Sequence, residues 1–393
     1  MSENHSTPSA APGKPTKPYP DFPLFAHAAG VWAKKIRGKL HYFGPWSDPD
    51  AALASYLAQK DDLHAGRTPR PDAGAATVKD AANAFLNAKK DSLEAGELSP
   101  RTWREYTDAC ALLVARFGKG RLLDDLRPAD FASLRKSMAA KWGAYRVGNV
   151  IQYVRSVFKH AFDAELIDRP VRFGPGFKRP SKKVVRLHRA EQGPKMFTSD
   201  EVRRMIDAAG LPLKAMILLG INAGFGNADC GNLPLSAVDF DNAVINFPRP
   251  KTGIARRCTL WPETTAALQE ALAKRPTPKS ETDTGLFFVT KYGLSWHKDI
   301  PGGPISKETA KLLKALGING RKRLNFYALR HTFRTVADES KDQPAVDFVM
   351  GHEVAHMSSV YRETISDERL RAVADHVRRW LFPSTHAVKP ASA

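Results

Sequence analysis

Apolar side chains recur at 147, 150, 151, 154, 157, 158 and 161, the i, i+3, i+4 spacing of a helix with one buried face. Upstream, Ser99-Pro100 reads as an N-cap with proline in the first turn, and Trp103, Tyr106 and Leu113 share the face that follows. Arg127-Pro128 opens a further helix. Residues 76–170 are therefore predicted to form a bundle of about four helices. Before it, 31–46 mixes strand-forming residues around Gly38 and predicts a hairpin. A helix then opens at Asp48-Pro49, with Leu53, Tyr56 and Leu57 on its inner face. Residues 21–66 make a small hairpin-and-helix module, 1–20 a disordered tail, and 64–75 a Pro/Gly-rich linker.

After a basic, Gly- and Pro-rich linker at 171–195, a second domain spans 196–393. Thr198-Ser199-Asp200-Glu201 has the form of a capped helix start, and 213–224 reads as a buried helix. Residues 243–261 alternate as two strands around a Lys-Thr-Gly turn. Helices follow at 262–274, 306–316, 328–338, 343–350 and 366–381. The fold class is mainly α with small β-sheets (α+β). The terminal helix carries Leu370, Val373, Val377 and Leu381 on one stripe, with Trp380 beside it. That stripe packs either on its own domain or on a neighbouring subunit.

Hydrophobic and charged residues make up 42% and 26% of the chain, as in ordinary globular proteins, but the net charge is +19. Such an excess calls for a polyanionic partner, most simply nucleic acid. Lys34, Lys35 and Arg37 load the hairpin, Arg155 and Lys159 the outer face of the bundle helix, Lys182 and Lys183 the linker, and Arg256 and Arg257 the strands beside the Lys251 turn, all candidate DNA contacts. On the hairpin these charges either solvate an aromatic mini-core or press a strand onto DNA. Cys110, Cys230 and Cys258 form no close pair, which argues against a disulfide framework or a cysteine zinc cluster. No run of apolar residues is long enough to span a membrane.

The chemistry concentrates near the C-terminus. His352 to His356 spell HEVAH, the zinc-protease pattern, in which two histidines and a downstream third ligand hold the metal. Here Glu363, Glu368 and His376 compete for the third place without distinction, and Gly351 sits where the motif's helix should already run. The other reading gathers more of the domain. Arg330 opens an otherwise apolar helix, where a buried guanidinium needs an anion such as phosphate. Lys251 stands at a hairpin tip, His352 follows a glycine past a helix end, and Tyr361 comes one short segment later. Arginine, lysine, histidine and tyrosine together suit phosphoryl transfer to a tyrosine nucleophile, the cations stabilising the crowded phosphate.

These segments, KTG at 251–253, YALRHTF at 327–333 and GHEVAHMSSVY at 351–361, resemble the tyrosine recombinases, or phage integrases, in order and spacing. The resemblance runs from about residue 76 onward. It implies a helical core-binding domain and a mixed catalytic domain that clamp double-stranded DNA, assembling there as a homotetramer. The module at 21–66 resembles the arm-type DNA-binding modules of some integrases. By the same resemblance Tyr361 forms a 3′-phosphotyrosyl link, Arg330 holds the scissile phosphate, Lys251 protonates the leaving 5′-oxygen and His352 donates to a non-bridging oxygen. Neither metal nor nucleotide cofactor is required. The protein is expected in the cytoplasm of a bacterium or phage host, associated with the nucleoid.

Two positions depart from the family. Where it places its first arginine the chain has Gly226, although Asp229 matches the acidic residue that follows. Tyr327 replaces the usual histidine or lysine before Ala328-Leu329-Arg330, and its hydroxyl is still a donor. The loss leaves three readings: a DNA-binding protein without cleavage, a slow enzyme, or a site repaired by Arg256 or Arg257.

Overall fold

Arg37 and Gly38, both at positive φ (50° and 84°), turn the chain between the first long strands. Strands β1 (Phe25–His27), β2 (Val31–Ile36) and β3 (Lys39–Pro45) pair antiparallel in that order, and α1 (Pro49–Ala65) covers one face. Phe22, Leu24, Trp32, Ile36, Phe43, Ala52, Tyr56 and Leu63 form the small core. Leu57, expected inside, is 49% exposed. The inner stripe of α1 runs through Ala52, Tyr56 and Leu63 instead, because the aromatic cluster meets the helix through Tyr56 and leaves the next position outside. Strand β1 was not foreseen, since three residues carry no readable alternation.

The computed structural model describes residues 14–66, 76–298, 302–318, 320–321, 323–352 and 364–383. Of the linker expected at 64–75, His64 and Ala65 end α1 instead and 67–75 lie outside the described residues, as does most of the expected N-terminal tail. The chain divides into two units, 1–180 and 181–393. In the first, α2 (Val78–Glu94), α3 (Pro100–Phe117), α4 (Pro128–Lys141) and α5 (Ala144–Asp163) form the helical bundle. Ser99 caps α3 by accepting the Thr102 N–H at 3.2 Å. On α5, Val147, Ile151, Val154, Val157, Phe158 and Ala161 are buried, and Phe131 meets Phe117, Phe158 and Phe173 edge-on.

The second unit contains α6 (Lys182–Glu191), α7 (Ser199–Ala208), α8 (Leu211–Asn222) and the short α9 (Asn227–Gly231). A three-stranded antiparallel sheet follows, β4 (Val238–Asp239), β5 (Val244–Asn246) and β6 (Arg257–Thr259). Then come α10 (Pro262–Ala273), α11 (Pro304–Ala315), α12 (Tyr327–Ala337), α13 (Gln343–Met350) and α14 (Asp367–Leu381). Mainly helical with small antiparallel sheets, the chain has the expected class. Helix α6 lies within the stretch read as linker. Ser181 caps it, yet it buries no residue, and so its pattern gave no apolar signal.

Helix α8 is apolar all round and almost wholly buried, and α10 and α12 pack on it. The terminal stripe belongs to this same core. Leu370, Val373, Val377 and Leu381 are 0–1% exposed, and Trp261 donates its indole N–H to the Ala374 carbonyl at 2.9 Å. The intersubunit alternative for that stripe is therefore excluded: its apolar face is already covered. No helix among the described residues is long and apolar enough to cross a membrane.

Candidate active site

Helix α12 carries Arg330 into the core between Leu329 and Phe333, and the side chain is 3% exposed. Two carbonyls receive it there. Nη1 donates to Gly224 O at 2.6 Å and Nη2 to Met350 O at 2.6 Å. Both acceptors sit at chain reversals. Gly224 follows α8 with φ +64°, and Met350 ends α13 just before Gly351 at φ +60°. A side chain at 224 would also drive its Cβ to 2.8 Å from the Phe333 ring, so glycine is needed for both shape and space.

Arg330 Nη2 also lies 3.0 Å from His352 Nε2. His352 is held from the other side by Asp347, whose Oδ1 is 3.4 Å from Nδ1. Asp347 in turn pairs with Arg334. Burial first, then the Arg330 charge, pushes the imidazole below its ordinary range, against the pull of Asp347. Among the described residues the nearest carboxylate to Arg330 is Asp229, at 4.0 Å. Burial, followed by repulsion from Arg249, brings the Arg330 pKa down to about 10, which leaves it a cation at neutral pH.

Asp229 organises the place where the family's first arginine is expected. It accepts the Gly226 N–H at 2.6 Å and pairs with Arg256 at 3.0 Å. Arg256 was expected on the DNA-facing surface but is withdrawn from it, at 3% exposure. Its guanidinium lies over the Phe225 ring, 4.0 Å from the centroid, and Nε donates to Phe247 O. Nη2 faces Asp229 off the line of a hydrogen bond, and Nη1 has no acceptor among the described residues. Arg257, one residue on, points the other way and grips Asp367 through two nitrogens at 2.6 and 2.8 Å. Neighbouring strand-like positions face opposite sides, which separates the pair.

Tyr327 begins α12 and covers Gly226: a Cβ built there would lie 3.0 Å from its ring. The tyrosine is 37% exposed, and the Lys195 ammonium sits over its ring at 4.9 Å. His331 packs edge-on to it, 5.6 Å between centroids. Lys251 is exposed at the β5–β6 tip, and Thr252 Oγ1 reaches Gly351 O at 3.4 Å, so this turn borders the His352 segment. Arg330, His352, the 251–253 turn and Tyr327 are thus drawn to one region. Tyr361, with the rest of HEVAH beyond His352, lies outside the described residues. His352 Nε2 already faces a guanidinium, a poor position for a metal ligand, and the described residues contain no His/Cys/Asp/Glu group able to hold a metal.

Lys34 sits over the Tyr56 ring at 4.6 Å, while Lys35 and Arg37 are exposed. Arg155 covers Phe173, and Lys159 pairs with Asp163 at 2.5 Å. Lys182 and Lys183 occupy the first turn of α6, exposed and against the helix dipole, so helix stability does not account for them. Sequence reasoning missed Lys195 and Arg249. Neither belongs to a recognisable motif, and only the chain's return at 326–352 brings Lys195 to Tyr327 and Arg249 to the His352 segment.

Residues 195–368 match the model of the phage integrase family. No curated protein matches the chain. Among solved structures, a lambda integrase dimer bound to a COC' core site superposes with a TM-score of 0.55 at 14% identity, over 89% of this chain and 96% of that one. The Tn1549 transposon integrase in complex with a circular intermediate DNA gives 0.54 at 16% identity, over 75% and 98%. A lambda integrase tetramer bound to a Holliday junction gives 0.55 at 12%, over 89% and 99%. At these identities the likeness is one of fold, and it agrees with the family match over the segment that carries Arg330, His352 and the 251–253 turn. Residues 195–368, rather less than half of the chain, thus match the phage integrase family, the tyrosine recombinases.

Proposed function

We propose that the protein is a site-specific DNA recombinase that cuts and rejoins strands through a 3′-phosphotyrosyl intermediate. The observation that carries this reading is the buried Arg330 guanidinium, held by two carbonyls beside His352, with the nearest carboxylate among the described residues 4.0 Å away. A cation so fixed, and so incompletely neutralised, is preorganised for an anion. In the reaction, Tyr361 Oη bonds to phosphorus as the bond to the 5′-oxygen breaks. The phenolic proton passes to solvent, and Lys251, at the exposed hairpin tip, gives a proton to the leaving oxygen. Arg330 holds a non-bridging oxygen, and His352 donates to another once Nε2 is protonated. The linkage conserves the bond energy for rejoining.

Double-stranded DNA is the partner, bound through the +19 chain with the exposed lysines of α6 and of the 31–46 hairpin among its contacts. Assembly on DNA follows the dimers and tetramers of the lambda integrase structures. The place of action is the cytoplasm, on nucleoid DNA.

The test is a nicked duplex made from the DNA flanking the protein's own gene. A detergent-resistant protein–DNA adduct that Tyr361→Phe abolishes is the expected result. Equal absence of adduct in wild type and Tyr361→Phe, on a duplex both bind, overturns cleavage. That result would favour the second reading, a DNA-binding relative without cleavage, for which Gly226 is the specific observation.

A further inference from the structure

Arg249 lies on the approach to the 251–253 turn, and its stem packs on the glycine that precedes His352. A Cβ at Gly351 would fall 2.9 Å from Arg249 Cβ and 3.2 Å from its Cδ. Nη1 then reaches toward Gly351 O at 3.4 Å, while Arg330 Nη2 holds the preceding carbonyl, Met350 O, at 2.6 Å. Two guanidinia from distant parts of the chain thus sit on successive carbonyls, with the His352 imidazole next to both.

Like charges so arranged repel one another, and the repulsion is visible. Arg249 contributes to the lowering of both the Arg330 and the His352 pKa. Among the described residues no carboxylate pairs with Arg249. Arg256, Arg257, Arg334, Arg369 and Arg378 all have one: Asp229, Asp367, Asp347, Asp342 and Glu263. The two arginines that sequence alone offered as replacements at Gly226 are therefore engaged, one of them out of reach of solvent. Arg249 is half-buried, and among the described residues only the Gly351 carbonyl holds its side chain. An anion between Arg249 and Arg330 would turn their repulsion into shared attraction.

We propose that Arg249 is a catalytic residue that supplies the second guanidinium at the scissile phosphate, from the β5–β6 hairpin, in place of the family arginine replaced by Gly226. This rests on the recombinase reading above. As Tyr361 Oη bonds to phosphorus and the bond to the 5′-oxygen breaks, Arg249 and Arg330 each hold a non-bridging oxygen, and neither makes nor breaks a covalent bond. The phenolic proton still goes to solvent, and the 5′-oxygen still takes one from Lys251.

The experiment compares rates of adduct formation on the nicked flanking duplex, with an ordinary phosphate or a neutral methylphosphonate at the scissile position. Arg249→Ala is expected to slow the ordinary reaction by about 10²-fold or more, with DNA retention little changed. Arg249→Lys recovers part of the rate. The methylphosphonate has lost the charge that Arg249 neutralises, so on it wild type and Arg249→Ala converge. Gly226→Arg added to Arg249→Ala restores adduct on the ordinary duplex. An Arg249→Ala rate within about threefold of wild type overturns the inference while leaving the recombinase reading intact. A deficit equally large on phosphate and methylphosphonate also overturns it, because Arg249 then only props the hairpin against Gly351. Absence of any Tyr361-dependent adduct from wild type on bound DNA removes the recombinase reading, and this inference with it.

Discussion

Arg330 Nη2 and His352 Nε2 stand 3.0 Å apart, and since a guanidinium only donates, the imidazole nitrogen accepts. The ring proton then resides on Nδ1, which faces Asp347 Oδ1 and the Arg334 guanidinium that Asp347 holds, each at 3.4 Å. In the free protein His352 is thus neutral and turned toward Arg330. In the proposed reaction, an incoming phosphate that takes over the Arg330 N–H groups would free Nε2 and favour its protonation, making His352 a donor as charge builds on the phosphate.

That relay predicts a titration. The His352 midpoint lies below 6.5 in the free protein, and Asp347, by hydrogen bond and charge, holds it up. Asp347→Asn should lower it further, and bound duplex DNA should raise it. NMR titration of the ring protons measures both shifts, and a midpoint unmoved by Asp347→Asn would contradict the assigned tautomer.

Arg330 is expected to matter for stability as well as cleavage. Arg330→Ala leaves the carbonyls of Gly224 and Met350 buried without donors, at about 1–3 kcal/mol each. Urea unfolding should show the loss as a lower midpoint with unchanged slope. A midpoint equal to wild type would mean that water has replaced the guanidinium.

Gly226→Arg should be tolerated, and in the Arg249→Ala background it should raise adduct formation by about 10-fold or more. The backbone there, at φ −99° and ψ −177°, is extended and admits any residue. The obstacle is the Tyr327 ring, 3.0 Å from the new Cβ, which is exposed enough to swing aside. Tyr327→Ala should therefore ease the substitution, as read by thermal melting. An uncharged control, Gly226→Val, should leave adduct formation unimproved.

His331 offers a separate acid sensitivity. Burial, then Lys195, Arg189, Arg323 and Arg330 in turn, lowers its pKa from 6.5 to about 4. The unfolded chain thus takes up a proton that the folded one refuses, and stability falls as pH drops from about 6.5 toward 4. Denaturation midpoints measured across that window should lose part of their slope in His331→Gln.

Truncation after Asp367 should unfold the second unit rather than merely block assembly. Leu370, Val373, Val377 and Leu381 belong to its core. Leu370→Ala alone should cost about 2–5 kcal/mol in chemical denaturation. Folded, monomeric protein after the truncation would contradict this placement.

Much of the fold is local and was legible along the chain. Ser99 caps a helix whose proline follows it, and Thr198 with Glu201 forms a reciprocal capping box. The α5 stripe is the interior face that its spacing announces. The motif order at 251–253, 327–333 and 351–361, with the charge of +19, already pointed to DNA chemistry. Each of these signals depends on residues a few positions apart, and so propensity and periodicity decide it. Burial of Arg256 beside Asp229, exposure of Arg257 to Asp367, and the approach of Arg249 to Arg330 were not legible. Side-chain direction on the β5–β6 hairpin follows its register, and the carbonyls that receive Arg330 are turned by left-handed glycines at 224 and 351. Those orientations arise only when segments from 20 to 110 residues apart meet in one core. Sequence alone therefore determined which kinds of group are available, and tertiary packing decided which of them remain free to meet an anion.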